Sequence, residues 1–193
     1  MRKKKIQIRK FLLIDSSYKP KILRGDKVTT IRYGNYEAKP GSEVYLVIRP
    51  NDTAVAKVQI TEVVKKKVRE LTDDDANRDG FKNVRELLKI LNRIYGELYG
   101  DDEVTIIGFR VLKQYETGIP LKWLKSLNYK EPKEIAGLYL ENQEKINLEK
   151  DVDFVLRKVY TEGLKSAVRR FGPKRVQQAL LRAYHALYGA GLI

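Results

Sequence analysis

The chain contains the stretch Ile22-Leu23-Arg24-Gly25-Asp26-Lys27-Val28-Thr29-Thr30-Ile31-Arg32, in which a glycine turn leads into a β-strand. Gly25 permits a tight bend, and the Val, Thr and Ile residues that follow it are typical of a strand. In a regular strand, Lys27 would share a face with Thr29 and not with Thr30. Lys27 and Thr30 therefore come together only if the turn extends through Lys27 or if a bulge intervenes.

Strand patterns lie on both sides of this stretch. We predict strands at residues 5–14, 27–33, 43–49, 54–64 and 104–112. Before the last of them, the apolar residues from 84 to 95 repeat at helical spacing. Asn83 can cap the start of this helix, and Gly96 or Gly100 can end it. Residues 5–114 are therefore predicted to form a β-rich unit, a small barrel or meander, with an inserted helix.

The rest of the chain, residues 115–193, has the pattern of an all-helical segment. Pro120 and Pro132 stand where first-turn prolines start helices. The apolar spacing predicts one long amphipathic helix over residues 151–171 and a final helix after the break at Gly172.

Composition limits the classes of protein and of chemistry. The 193 residues are 42% hydrophobic, enough for a core, and include no stretch long and apolar enough to span a membrane. The chain has no cysteine and only His185 as histidine, which excludes disulfides, thiolate nucleophiles and cysteine-ligated metals. We expect no metal and no cofactor, since the carboxylates Asp73-Asp74-Asp75 also suit a helix N-terminus. We also expect a cytoplasmic protein from a thermophile.

Positive charge is the strongest compositional signal. There are 39 Lys and Arg against 25 Asp and Glu, a formal net charge of +14. Two segments carry the excess, residues 1–32 and residues 157–182, and the acidic segment 71–103 lies between them. An excess of this kind favours polyanions, so we expect RNA as the partner, with DNA as an alternative.

Particular residues are suited to nucleic-acid contacts. Tyr33 can stack on an unpaired base beside Arg32 and Arg49. A basic corner, defined as Arg169, Arg170, Lys174 and Arg175, surrounds the start of the final helix and suits phosphate groups. Lys27 and Arg32 are predicted to contact phosphate in a cleft.

The order of short motifs resembles that of the ASCH family. The stretch 22–32 resembles the family signature, in which Ile-Leu and Gly precede Lys, Thr, a hydrophobic residue and Arg. Three further marks follow in order along the chain: Pro40-Gly41, Asp79-Gly80-Phe81 and Ile107-Gly108-Phe109. The resemblance spans about residues 6–112 and has no equivalent in residues 115–193.

The resemblance implies a fold and a possible chemistry. It implies a PUA-like β-barrel, a fold associated with RNA binding. Some bacterial members are understood as amidohydrolases of acetylated cytidine that use Lys, Thr and Glu. Lys27 and Thr30 match two of these residues, and the acid corresponds to Asp79, which is one methylene shorter. Independently of the resemblance, a lysine enclosed by barrel walls is a candidate base, and the Thr30 hydroxyl is then a candidate nucleophile.

We therefore predict an α+β protein of two domains. Residues 1–114 would be a PUA-like small β-barrel with an inserted helix, and residues 115–193 a helical C-terminal extension. The first functional interpretation is an RNA-binding protein that uses a basic cleft near Lys27, Thr30 and Arg32. The alternative is a metal-free hydrolase of a modified nucleoside, or a ribonuclease. A third interpretation is a module whose helices bind protein.

Overall fold

The computed structural model describes residues 5–193. The chain forms two compact units, the first ending at Gly118 and the second running from Ile119 to Ile193. The first residues of the basic segment 1–32, up to position 4, lie outside the described residues.

The first unit combines a β-sheet with short helices. Its strands are β1 (Ile6–Gln7), β2 (Phe11–Asp15), β3 (Thr29–Tyr33), β4 (Tyr36–Glu37), β5 (Glu43–Arg49), β6 (Thr53–Lys67) and β7 (Glu103–Pro120). Its helices are α1 (Lys19–Arg24), α2 (Asp73–Arg78) and α3 (Val84–Tyr95). The main sheet has the order β2-β5-β6-β7-β3, and β1 pairs separately with β4. Strand β2 runs parallel to β5, and β3 runs antiparallel to β7 with Thr30 opposite Ile107.

Alternation along β7 divides the apolar residues of the first unit between two clusters. Ile107 and Phe109 are buried with residues of β2, β5 and β6. Val104 and Ile106 are buried on the other side, with Ile31 of β3 and with residues of α3. Helix α3 is therefore fixed beside the strand that follows Lys27.

Helix α3 has the start and end predicted for it. The Asn83 side chain accepts a hydrogen bond of 2.9 Å from the Glu86 amide, and the helix ends at Gly96. Both signals are local, and both predictions are confirmed.

A side chain joins the two outer strands of the main sheet. The Arg32 guanidinium on β3 donates a hydrogen bond to the Leu13 carbonyl on β2. The mixed architecture, with a five-stranded sheet, an inserted helix and helices in the C-terminal part, confirms the predicted α+β class and the PUA-like fold.

The second unit is helical. Its helices are α4 (Leu121–Ser126), α5 (Pro132–Glu141), α6 (Lys150–Phe171) and α7 (Pro173–Gly189). Their shared core includes Leu127, Ile135, Leu156, Leu180 and Leu187, all of them buried. Within the described part of the chain, no helix is both long and apolar enough to cross a membrane.

The prediction of one long helix over residues 151–171 is wrong in one respect. Gly163 has φ 85° and ψ 166°, so two helical segments meet there at a kink. Glycine adopts a positive φ without the steric cost that other residues meet, and the apolar spacing on either side gives no sign of the break. The final helix after Gly172 is confirmed.

Candidate functional site

The turn before β3 places Lys27 outside the regular strand. Gly25, with φ 84°, ends α1 in the left-handed conformation. The amides of Asp26 and Lys27 then both donate to the Lys21 carbonyl, at 2.8 and 3.3 Å. Since β3 begins only at Thr29, the turn extends through Lys27. This is one of the two conditions under which Lys27 and Thr30 can come together.

Asp79, the residue that follows α2, forms a buried ion pair with Lys27. Lys27 Nζ donates to Asp79 Oδ1 at 2.6 Å and to the Asp79 carbonyl at 2.7 Å. Only 2% of Lys27 and 4% of Asp79 is exposed. Lys21 Nζ donates to the next carbonyl, that of Gly80, at 2.6 Å. Two lysines therefore hold the turn that carries the acid.

Lys27, Thr30 and Asp79 line one cavity of about 90 Å³. The rings of Tyr18 and Phe81 also line it, and Lys27 Nζ lies 4.8 and 5.7 Å from their centroids. Residues of α3 complete the apolar wall: Leu87, Ile90, Leu91, Ile94 and Tyr95. The structure thus brings together the three residues predicted as catalytic.

The Thr30 hydroxyl is available to a ligand. Thr30 is buried and lines the cavity, and its hydroxyl makes no hydrogen bond with any residue that the structure describes. The neighbouring Thr29 does not line the cavity, and its hydroxyl donates to Asp79 Oδ1 at 3.5 Å. Of the two adjacent threonines, Thr30 is therefore the one placed to meet a bound group.

Burial dominates the electrostatics of this ion pair. It raises the pKa of Asp79 from 3.8 to about 6, although the neighbouring Lys27 favours the carboxylate. It lowers the pKa of Lys27 below its ordinary value, although Asp79 favours the ammonium. Burial, and then the charge of Asp79, also raises the pKa of Tyr18. The neutral amine of Lys27 is therefore easier to form than that of an exposed lysine, as a general base requires.

The raised pKa of Asp79 predicts a pH dependence of stability. A carboxyl group with a raised pKa stabilises the folded state at low pH, and this contribution is lost as the pH rises through the folded value of about 6. We expect the free energy of unfolding of the wild type to fall by about 2 to 3 kcal/mol relative to Asp79→Asn between pH 4 and 7. This free energy is measured by urea denaturation, with the NMR signals of β5 and β6 as the probe of unfolding. A difference that does not change with pH would contradict the prediction.

The residues predicted to contact nucleic acid in the first unit are not gathered at one cleft. Lys27 shares its cavity with Arg32, but it is only 2% exposed and its Nζ is held by Asp79. Arg32 lines the cavity but is half-buried and engaged with Leu13. The Tyr33 hydroxyl is 3.3 Å from Asp102 Oδ1, and exposed Arg49 lies 3.9 Å from Asp52 Oδ1.

The basic corner of the second unit is exposed. All four of its side chains, those of Arg169, Arg170, Lys174 and Arg175, face solvent. The Arg170 guanidinium lies 5.4 Å from the Phe154 ring centroid and 5.6 Å from that of Phe171. Arg175 also lies over Phe171, at 5.7 Å, and is 3.5 Å from Asp151 Oδ2. These cations are held on aromatic rings rather than extended freely.

The acidic run Asp73-Asp74-Asp75 has a structural role. Asp73 Oδ1 accepts a hydrogen bond of 2.7 Å from the Val84 amide. Asp75 accepts from Thr72 at the start of α2 and from Lys66 Nζ at 2.7 Å. Among residues 5–193, no group of three or more acidic or histidine side chains is arranged to hold a metal ion.

Sequence reasoning missed the aromatic part of the site. Phe81 belongs to the motif Asp79-Gly80-Phe81, so the sequence does carry a signal for its place beside Asp79. The sequence also predicts that α3 has an apolar face, but it does not show that this face packs over Lys27. Tyr18 gave no signal, because its contact with Lys27 depends on how the segment before α1 packs.

Comparisons with known proteins identify one family. The model of the ASCH domain family matches residues 10–113. The solved ASCH domain from Lactobacillus crispatus JV V101 has 16% identity and a TM-score of 0.47, covering 54% of this chain and 81% of that one. ASCH from Zymomonas mobilis has 18% identity and a TM-score of 0.47, covering 63% and 79%. Protein EF3133 from Enterococcus faecalis V583 has 15% identity and a TM-score of 0.39, covering 50% and 71%. No curated protein matches the chain.

Proposed function

This chain belongs to the ASCH domain family, and on that premise we propose that it is an RNA-binding protein. ASCH domains are PUA-like and are associated with nucleic-acid binding. The net charge of +14 agrees with a polyanionic partner. The observation that carries the proposal is the cavity of the first unit, where hydrogen-bonding groups lie between aromatic rings, as they do in sites that recognise unpaired bases.

The size of the cavity limits what enters it. Its volume of about 90 Å³ is well below the range of about 300 to 1,000 Å³ that is typical of small-molecule sites. An exocyclic substituent of a base fits this space, whereas a whole nucleotide does not. Lys27 and Thr30 would then contact that substituent, and the phosphates would be left to exposed cations.

The proposal assigns separate tasks to the two predicted domains. The barrel domain, predicted as residues 1–114, would receive the base, and the helices of the C-terminal domain, predicted as residues 115–193, would supply phosphate contacts through the basic corner. The exposure of all four cations of that corner supports this assignment.

Removing the basic corner should weaken RNA binding for all sequences alike. Each phosphate contact on a single strand contributes about 0.7 to the slope of log affinity against log salt. Substituting Arg169, Arg170, Lys174 and Arg175 together with alanine should therefore make that slope shallower by about 3. Fluorescence anisotropy with a labelled single-stranded RNA, from 50 to 200 mM salt, measures both affinity and slope.

A charge-matched control separates position from net charge. It replaces four exposed lysines outside the corner with alanine: Lys39, Lys89, Lys145 and Lys150. We expect the slope of this control to stay close to that of the wild type. Equal slopes in wild type and corner variant would remove the polyanion argument and favour the protein-interaction interpretation.

A second candidate function is metal-free hydrolysis of an acylated nucleoside such as acetylated cytidine. It is favoured by one observation: the Thr30 hydroxyl, which has no hydrogen-bond partner among residues 5–193, lines the same cavity as a buried lysine whose pKa is lowered. The neutral Lys27 amine would take the proton of Thr30, and Oγ1 would attack the acetyl carbonyl carbon. The bond to the base nitrogen would break, and that nitrogen would take the proton back from Lys27. Water would then hydrolyse the acetyl ester on Thr30.

A further inference from the structure

A second and larger cavity lies wholly within the helical unit. Its volume is about 560 Å³, within the range of about 300 to 1,000 Å³ typical of small-molecule sites. It is lined by the N-terminal part of α6, by Phe171 at the end of the same helix, by Gly172 and by the first half of α7. No part of this cavity belongs to the site around Lys27.

The lining of this cavity combines two kinds of surface. The buried side chains of Val152, Val155 and Ala179 form an apolar floor. Three cations line it as well, Lys174, Arg175 and Arg182, with Asp151 as the opposing carboxylate. Asp151 is 3.5 Å from Arg175, and Glu149 is 3.1 Å from Arg182, whereas Lys174 has no ion pair among the residues that the structure describes. The cavity therefore keeps a positive excess.

Two further groups suit a flat, hydrogen-bonding ligand. The Arg175 guanidinium lies over Phe171 and offers its plane for stacking. The Gln178 side chain is exposed and carries both donors and an acceptor. A ligand that matches this lining has a flat apolar face, a polar edge and a negative charge.

We infer that this cavity receives one unpaired nucleotide of a single-stranded RNA. The base lies on the apolar floor beside Arg175, its edge meets Gln178, and its phosphate meets Lys174. This inference rests on the proposed RNA binding and adds to it a preference for unpaired strands. Duplex RNA keeps its bases stacked, so it contacts the cations of the helical unit without filling the cavity.

Filling the cavity tests the inference without changing charge. Gln178→Trp occupies the space of the base, and we expect about a tenfold loss of affinity for a 12-nucleotide single-stranded RNA, the size of one lost stacking contact. Affinity for a blunt-ended RNA duplex should not change. The control is His185→Trp, an exposed position on the same helix outside the cavity, which should leave both affinities unchanged.

A second measurement locates the ligand directly in the full chain. Adenosine 5′-monophosphate at millimolar concentration should shift the methyl NMR signals of Val152 and Val155, and inorganic phosphate at the same concentration should not. Equal shifts with inorganic phosphate would overturn the inference in favour of a plain anion site. Wild-type RNA binding that Gln178→Trp leaves intact would overturn the inference alone. A wild type that binds neither RNA would overturn the proposed function, and this inference with it.

Discussion

Replacing Asp79 with alanine should lower the free energy of unfolding of the first unit by about 3 to 5 kcal/mol. The reason is that Lys27, only 2% exposed, would lose its partner at 2.6 Å and remain buried. The comparison belongs at pH 7, where the wild-type Asp79, whose pKa is about 6, is ionised and pairs with Lys27.

The measurement must report on the correct unit. Trp123 belongs to the core of the helical unit, so tryptophan fluorescence does not follow the barrel. Urea denaturation followed by the NMR signals of β5 and β6, central strands of the main sheet, does so.

An exposed aspartate provides a matched control. Asp101 pairs with Lys67 at 3.1 Å and with Arg69 at 2.7 Å, but its side chain is 72% exposed. Asp101→Ala should therefore destabilise the fold much less than Asp79→Ala, because solvent screens an exposed ion pair. The double variant Lys27→Met with Asp79→Leu should recover most of the loss, because it removes both charges and leaves neither unpaired. If Asp79→Ala costs no more than Asp101→Ala, the ion pair does not stabilise the barrel.

Lys27→Ala should abolish turnover if the cavity of the first unit hydrolyses acetylated cytidine. Loss of a general base lowers the rate by about 100- to 10,000-fold. Turnover in the wild type should rise with pH as Lys27 releases its proton. Release of acetate and cytidine, and separately cleavage of RNA, would be measured without added metal.

The adjacent residues Thr29 and Thr30 allow a direct test of which hydroxyl is the nucleophile. Thr30→Val keeps the volume of the side chain and removes the hydroxyl, so it should be as inactive as Lys27→Ala. Thr29→Val is the same change one residue away; Thr29 does not line the cavity and its hydrogen bond to Asp79 Oδ1 is long, at 3.5 Å, so this variant should keep most of the turnover. Asp79→Glu introduces the longer acid of the family pattern and should preserve or raise turnover.

The binding interpretation predicts a different set of results. No turnover would be seen, and Lys27→Ala and Thr30→Val would both weaken RNA affinity, because both side chains would contact the base substituent. Turnover that survives both Lys27→Ala and Thr30→Val would show that the chemistry occurs elsewhere.

Local signals account for the parts of the fold that were predictable. Strand β5 was predicted at residues 43–49 and is observed as Glu43–Arg49, because a turn signal precedes it and its apolar residues alternate. Helix α3 was equally clear from Asn83 and Gly96. The kink at Gly163 could not be predicted, because a single glycine within a helical pattern can adopt either a negative or a positive φ.

The sequence does not predict which basic side chains of the site are exposed to solvent. The motif pointed to Lys27, Thr30 and Asp79, and the turn after Gly25 brings them to one cavity. Whether a basic residue meets solvent depends on tertiary packing. Lys27 lies beneath the rings of Tyr18 and Phe81, and Arg32 points at a backbone carbonyl.

The bond from Arg32 to Leu13 also affects how the protein behaves among its own copies. Outer strands of an open sheet present unpaired backbone groups, which can recruit strands of another molecule and begin aggregation. Here the Arg32 guanidinium on β3 donates a hydrogen bond to the Leu13 carbonyl on β2, so that carbonyl is not available to another molecule. The guanidinium also places a positive charge at the edge of the sheet. We therefore expect replacement of Arg32 to free an edge carbonyl and to promote self-association between copies of the chain.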